Sequence, residues 1–213
     1  MPMEQRFNAS PLALAVLCLL RVGPLHPYGI QRLMKEWGKD KVVNVGNRAT
    51  LYRTINRLYE AGLVEVRQTE RDHLYPERTV YELTEQGRRV GLEWLAEMVS
   101  VPRNEFPEFP AALSFAMVLG PDVTLARLEQ RAERLLESLA SLDADLDAGS
   151  ATLPRVALIE DEYRRAIAAA ELSWVRSVVD DLRSGALSWA EDILDPDAVR
   201  AVVSGPTAPG DER

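Results

Sequence analysis

The chain has 213 residues, 46% of them hydrophobic and 27% charged, which suits one large or two small folded domains. Its formal net charge of −8, taken as a total, argues against nucleic acid and anionic membrane as partners. One cysteine, Cys18, excludes an intramolecular disulfide and fits a reducing compartment, and with only two histidines it excludes an ordinary His/Cys zinc site.

Ser10-Pro11 supplies an N-cap followed by proline at the first helical position, so a helix is expected through Leu12–Leu20, closing near Gly23-Pro24. This apolar run is nine residues long, against about 20 for a membrane span, and being apolar all round it should be deeply buried. Glu4 ahead of it and Arg21 after it, with no small-x-small cleavage pattern, argue against a signal peptide. Pro27 opens a second helix, Tyr28 to Trp37, with Ile30, Leu33, Met34 and Trp37 at helical spacing and Gly38 as its stop. Asn47 caps a third helix whose inner face is Leu51, Ile55 and Leu58, while Thr50, Arg53 and Arg57 form a polar stripe on another face. Ala61-Gly62 ends it.

Leu63–Gln68 and Thr79–Leu83 alternate and read as two strands, joined across ten polar residues, Thr69–Arg78, into a hairpin with a charged tip. Thr84 caps a fourth helix through about Ser100 that carries Val90, Trp94, Leu95 and Met98. Val101–Pro110 holds three prolines and reads as a linker or bend. Leu125, Leu128, Ala132, Leu135, Leu139, Leu142 and Leu146 then alternate spacings of 3 and 4, about three heptads of coiled-coil seam ending at Gly149. A long helix follows from about Pro154 to Leu182, with Val156, Ile159, Tyr163, Ala166, Ala170 and Trp174 marking one face and Gly185 as its stop. Ser188 and Glu191 fit a capping box for a short last segment.

Division of the charge changes its meaning. Residues 1–91 carry 14 Lys+Arg against 10 Asp+Glu, a net of +4, whereas residues 92–213 carry 11 against 23, a net of −12. From Lys41 to Tyr59 there are four basic residues and no acid. A solvated helix face usually carries both signs, so this stretch is the electrostatic focus of the chain. The use of 22 Arg against 3 Lys reads as the coding bias of a GC-rich bacterial genome.

Three helices followed by a two-stranded hairpin is the order of a winged helix-turn-helix. The DNA major groove, about 12 Å wide, admits one helix, and arginine can read guanine bidentately there. The candidate DNA-binding residues are Asn47, Arg48, Thr50, Tyr52, Arg53 and Arg57 of the third helix and Arg71 and Arg78 of the hairpin tip. The free N–H groups beside Asn47 could also cradle a phosphate. The fold class expected is mainly α, with an N-terminal winged helix-turn-helix followed by an all-helical, coiled-coil-like dimerisation domain. The boundaries are 1–100 for the DNA-binding domain, 101–203 for the helical domain and 204–213 for a disordered tail.

Three stretches resemble the PadR family of bacterial transcriptional regulators. Gly23-Pro24-Leu25-His26-Pro27-Tyr28-Gly29-Ile30 is similar to the family's Gly-Pro-x-His-Gly-Tyr-Glu-Ile. Thr50-Leu51-Tyr52 with Arg57-Leu58 and Ala61-Gly62-Leu63 is close to its Thr-Leu-Tyr…Arg-Leu-Glu-x-Gly-Leu. Tyr81-Glu82-Leu83-Thr84-Glu85-Gln86-Gly87 matches its Tyr-x-Leu-Thr-x-x-Gly. Pro27 and Gly29 depart from the pattern, and Arg53 stands where the family often has proline. The resemblance implies a cytoplasmic homodimer, nucleoid-associated when bound, that holds a near-palindromic double-stranded operator, usually as a repressor, and is released by a ligand or stress signal. It also implies that an aromatic residue on the helix after the wing, here Trp94, can line an effector pocket. The acidic half is similar to the virulence-activator C-terminal domain of the larger PadR subclass.

Independently of the family, the leucine seam must bury itself, either against the 154–182 helix of its own chain or against a second copy, and Leu125, Leu128, Leu135, Leu139, Leu142 and Leu146 are the candidate dimerisation residues. Two rivals stand beside this reading. One is a winged-helix module that binds protein without touching DNA. The other is an enzyme using Glu160-Asp161-Glu162 or Asp180-Asp181, but sequence neighbours on a helix point in different directions, and no nucleophile elbow or phosphate-binding glycine loop is present. No cofactor, no metal and no membrane partner is expected, and Cys18, inside an apolar run, reads as an inert core residue.

Overall fold

A computed structural model describes residues 9–70 and 78–190. The chain divides into two compact units, Met1–Asn104 and Glu105–Arg213. Arg71, the Ser188…Glu191 capping box and the expected tail from Ser204 fall wholly or partly outside the described residues.

In the first unit, α1 (Pro11–Leu19) begins where Ser10 accepts a hydrogen bond from the Ala13 amide at 3.2 Å. Its Leu12, Ala13, Val16, Leu17 and Leu19 are buried, as an all-apolar helix requires. α2 (Pro27–Glu36) is capped by His26, whose Nδ1 accepts from the Tyr28 amide at 3.1 Å. It buries Ile30 and Met34, but Trp37 is 49% exposed, because the helix ends one residue earlier and Gly38 turns the chain into the left-handed region. α3 (Arg48–Glu60) buries Leu51, Ile55 and Leu58, which join the core formed by α1 and α2. Such burial contributes roughly 1.5–3 kcal/mol per side chain.

β1 (Val64–Glu70) and β2 (Arg78–Leu83) pair antiparallel, Val64 opposite Leu83 and Val66 opposite Tyr81, with a bulge at Arg67. The hairpin strands extend further toward the tip than the alternation alone suggested. Leu25, ahead of α2, exchanges backbone hydrogen bonds with Tyr81 at 2.9 and 3.0 Å, so the outer side of β2 is partly covered. α4 (Glu85–Ser100) follows at once.

The junction between β2 and α4 is tight. The Thr84 hydroxyl accepts from the Gly87 amide at 2.9 Å and reaches the carbonyls of Gly62 at 2.7 Å and Leu63 at 3.2 Å. α4 therefore starts against the turn that leaves α3. A Cβ at position 87 would stand 1.9 Å from the Leu63 carbonyl oxygen, so only glycine fits.

The second unit contains α5 (Glu108–Leu113), α6 (Pro121–Ser150) and α7 (Ile159–Ser184), with short 3-10 turns at Ala116–Val118 and Arg155–Ala157. The stretch expected as linker thus yields to helix at Glu108, where Pro107 pre-sets the backbone for a start. α6 and α7 pack against each other. Leu128 on α6 meets Val175 and Val179 on α7, with Leu125, Ala132, Leu135, Val178 and Leu182 around them. Leu142 is also buried, and Leu139 and Leu146 are half-buried. The leucine seam is filled within the chain.

The apolar face expected on α7 points elsewhere. Val156 precedes the helix and is exposed, and Ile159, Tyr163, Ala166, Ala170 and Trp174 are exposed too, while the side toward α6 is Leu172, Val175 and Val179. At about 100° per residue these two sets lie on opposite sides of the helix, so α7 is apolar twice. Three ion pairs cross between the helices: Arg131–Glu171 at 2.5 Å, Arg183–Glu129 at 2.6 Å, and Arg165–Asp143.

Gly87→Ala is expected to destabilise the chain by about 3 kcal/mol, because backbone cannot yield as a flexible side chain can. Gly91→Ala, whose Cβ would meet Leu17 at an ordinary 3.4 Å, should be neutral or slightly stabilising. Urea unfolding of both variants checks the pair.

Candidate nucleic-acid interface

α3 is prepared by an Asx turn. Asn44 Oδ1 accepts from the Gly46 amide at 2.8 Å, and Gly46 takes a positive φ that brings Asn47 into its capping position. Asn47 Oδ1 then accepts from both the Thr50 amide at 3.0 Å and the Thr50 hydroxyl at 3.2 Å. The Arg53 guanidinium donates to the Thr50 hydroxyl at 3.3 Å. Asn47, Thr50 and Arg53 therefore form one hydrogen-bonded chain along the start of the helix. The Thr54 hydroxyl donates back to the Thr50 carbonyl at 3.0 Å, so Thr54 is spent on its own helix.

The residues pointing most directly away from the buried stripe are Ala49, Arg53 and Glu60, with Asn56 and Arg57 beside them, and all five are exposed. Asn56 was not among the expected contacts. Its signal was available: it lies three residues beyond Arg53 on the outward face, and its amide can pair bidentately with adenine. Thr50 is half-buried on one flank.

Arg48 and Tyr52 occupy the other flank, the guanidinium 5.7 Å from the ring centre. Tyr52 is half-buried. Its phenol and that of Tyr59 add to the effect of burial in holding the Tyr81 hydroxyl above the usual tyrosine range. Tyr52 thus sits toward the wing strand, between α3 and β2. Arg78 belongs to β2, with its backbone opposite Glu70. Arg67, on the bulge, pairs with Glu82 at 3.1 Å.

Trp94 on α4 is half-buried and packs on the core of the first unit. Cys18 is held in its thiol form, because burial raises its pKa and Arg21 opposes that only in part. Among the described residues no helix is long and apolar enough to cross a membrane, and no group of three His, Cys, Asp or Glu side chains is placed to hold a metal ion.

Residues 16–92, spanning α1 to the first half of α4, match the family model described as "Transcriptional regulator PadR-like family". This segment, about a third of the chain, is similar to the PadR-like family. No curated protein matches it in sequence. Solved structures do match it in fold. Bacillus subtilis PadR in complex with operator DNA aligns over 81% of this chain and 99% of its own, with 19% identity and a TM-score of 0.63. The same protein in complex with p-coumaric acid aligns over 81% and 98%, with 19% identity and a TM-score of 0.65. A PadR-like transcriptional regulator from Bacillus cereus aligns over 82% and 99%, with 17% identity and a TM-score of 0.56. At such identities the likeness is one of fold.

Several residues that carry the PadR-like motifs have structural roles. His26 caps α2, Leu51 and Leu58 anchor α3, and Thr84 and Gly87 clamp α4. The outward residues of α3 lie between these fixed points.

Cys18 in the native chain should react with iodoacetamide at least about tenfold more slowly than in urea, a ratio that mass spectrometry can measure. Equal rates would contradict its partial burial. Asn47→Ala should cost about 1 kcal/mol in thermal unfolding, the usual loss for an N-cap.

Proposed function

We propose that the chain is a homodimeric, effector-responsive transcriptional repressor that binds a near-palindromic double-stranded operator through α3. The observation that carries this reading is the outward face of α3. Arg53, Asn56 and Arg57 are exposed on a helix that Leu51, Ile55 and Leu58 hold rigidly beside a wing. The complex of Bacillus subtilis PadR with operator DNA supports it as a case of the same fold on DNA. Asn47, with the free amides at the helix start, suits a phosphate. Arg53 and Asn56 suit base edges, and Arg57 suits either. Glu60, exposed in the last turn, would repel phosphate, so the N-terminal half of α3 is the half that enters the groove. In this reading Arg48, Arg71 and Arg78 make backbone contacts, and Tyr52 acts by holding α3 to the wing. The protein works in the cytoplasm, on the nucleoid when bound, and is not an enzyme.

Homodimerisation is assigned to the outer face of α7 and not to the leucine seam, whose central members are already covered by their own chain. Tyr163 at 68%, Ile167 at 51% and Trp174 at 46% exposure leave an apolar stripe about three turns long, suited to an equivalent stripe on a second copy. Two recognition helices about 34 Å apart then read two half-sites. The complex of Bacillus subtilis PadR with p-coumaric acid supports a small-molecule effector, and Trp94 is its proposed contact.

In gel shifts on the gene's own promoter, Arg53→Ala, Asn56→Ala and Arg57→Ala should each weaken binding about tenfold while leaving the melting temperature unchanged, and a variant that removes a phosphate contact should lower the salt slope by about one. Salt-insensitive or absent binding would refute the DNA reading. Ile167→Glu should give monomers by light scattering with helix content kept and operator binding lost. Leu128→Glu should instead unfold the second unit.

A further inference from the structure

The second unit contains a cavity of about 500 Å³ between α5, the Ala116–Val118 turn and the first half of α6. That is within the range of small-molecule sites. Its walls are largely apolar, with Phe109, Phe115, Leu119 and Leu128 prominent. Three arginines also line it, Arg127, Arg131 and Arg134, and no lining residue is acidic. This is the opposite of what composition predicts for a half that carries −12.

The three arginines are not equivalent. Arg131 stacks over the Phe109 ring at 3.4 Å and is paired with Glu171, so its charge is answered within the chain. Phe109 in turn meets Trp174 edge to face, with ring centres 6.1 Å apart. Arg127 and Arg134 lie four residues before and three after, on the same side of α6, and have no ion-pair partner among the described residues.

A second observation is independent of charge. Thr124 lines the cavity at 7% exposure, and its hydroxyl is buried without a hydrogen-bond partner among the described residues. Its amide bonds to the Gly120 carbonyl at 3.0 Å, but its hydroxyl does not make the usual bond to the preceding turn. A buried hydroxyl left unpaired is a cost that folding alone does not require. The segment that contributes Leu119 to the lining is tied down, because the Trp189 indole donates to the carbonyls of Met117 at 3.2 Å and Leu119 at 3.0 Å. The cavity is preformed.

We propose that this cavity binds a small amphipathic carboxylic acid, its apolar body against Phe109, Phe115 and Leu128 and its carboxylate held by Arg127 and Arg134. A carboxylate answers two guanidinium groups with charge-assisted, bidentate hydrogen bonds, and a polar atom on its body can satisfy Thr124. The site is lined by residues of the second unit alone and does not rest on the DNA-binding reading.

Isothermal titration of the full chain, without DNA, tests this with 2-naphthoate and its neutral amide as probes. The acid should bind once per chain below 1 mM and the amide at least tenfold more weakly. Arg127→Ala and Arg134→Ala should each weaken the acid at least fivefold with an unchanged melting temperature. Thr124→Val, which removes the unpaired hydroxyl, should melt higher than the parent chain and still bind through its arginines. Equal binding of acid and amide, arginine variants that bind normally, or no heat from naphthoate at all would overturn the proposal. So would arginine variants that change oligomeric state without changing binding, since the cavity would then be a contact between copies.

Discussion

The approach of Gly87 to the Leu63 carbonyl governs the first unit. α4 can begin where it does only because position 87 has no side chain, and Thr84 then ties the same turn through the carbonyls of Gly62 and Leu63. Three elements are fixed by this one junction: the end of α3, the start of the wing and the direction of α4. The outward face of α3 takes its aim from it. The junction uses backbone atoms on one side, so it tolerates change in nearly every neighbouring side chain but not in the glycine.

The second unit follows a different logic. α6 has one apolar side and α7 has two, so one contact is met inside the chain and one is left over. The half that holds most of the acid is also where three arginines face a single apolar cavity. Net charge and local charge disagree here as they do in the first unit, where four basic residues from Lys41 to Tyr59 outweigh a chain total of −8.

Much of the fold was legible because its signals are local. Ser10, Asn47 and Thr84 cap the helices they were expected to cap, and Leu51, Ile55 and Leu58 are buried as their spacing implies. What was not legible depends on partners. Two apolar faces on one helix look alike in sequence, and nothing in the spacing of Ile159, Tyr163 and Trp174 against that of Leu172, Val175 and Val179 says which meets α6. The 3-10 turns are too short to leave a period. Asn56 carries no charge, so only its spacing from Arg53 marks it as outward. Tyr52 is half-buried on the flank of α3, a placement that its spacing alone does not specify. The cavity arginines are visible as residues but not as a group until α5 folds over them.

The three arginine–carboxylate pairs between α6 and α7 act as a vernier. Glu129, Arg131 and Asp143 meet Arg183, Glu171 and Arg165, with the sign reversed at one rung. Leucine faces grip almost equally well when slid by one turn, but such a slip would break all three pairs together. The smooth apolar seam supplies adhesion without a zero mark, and the charges engrave the scale.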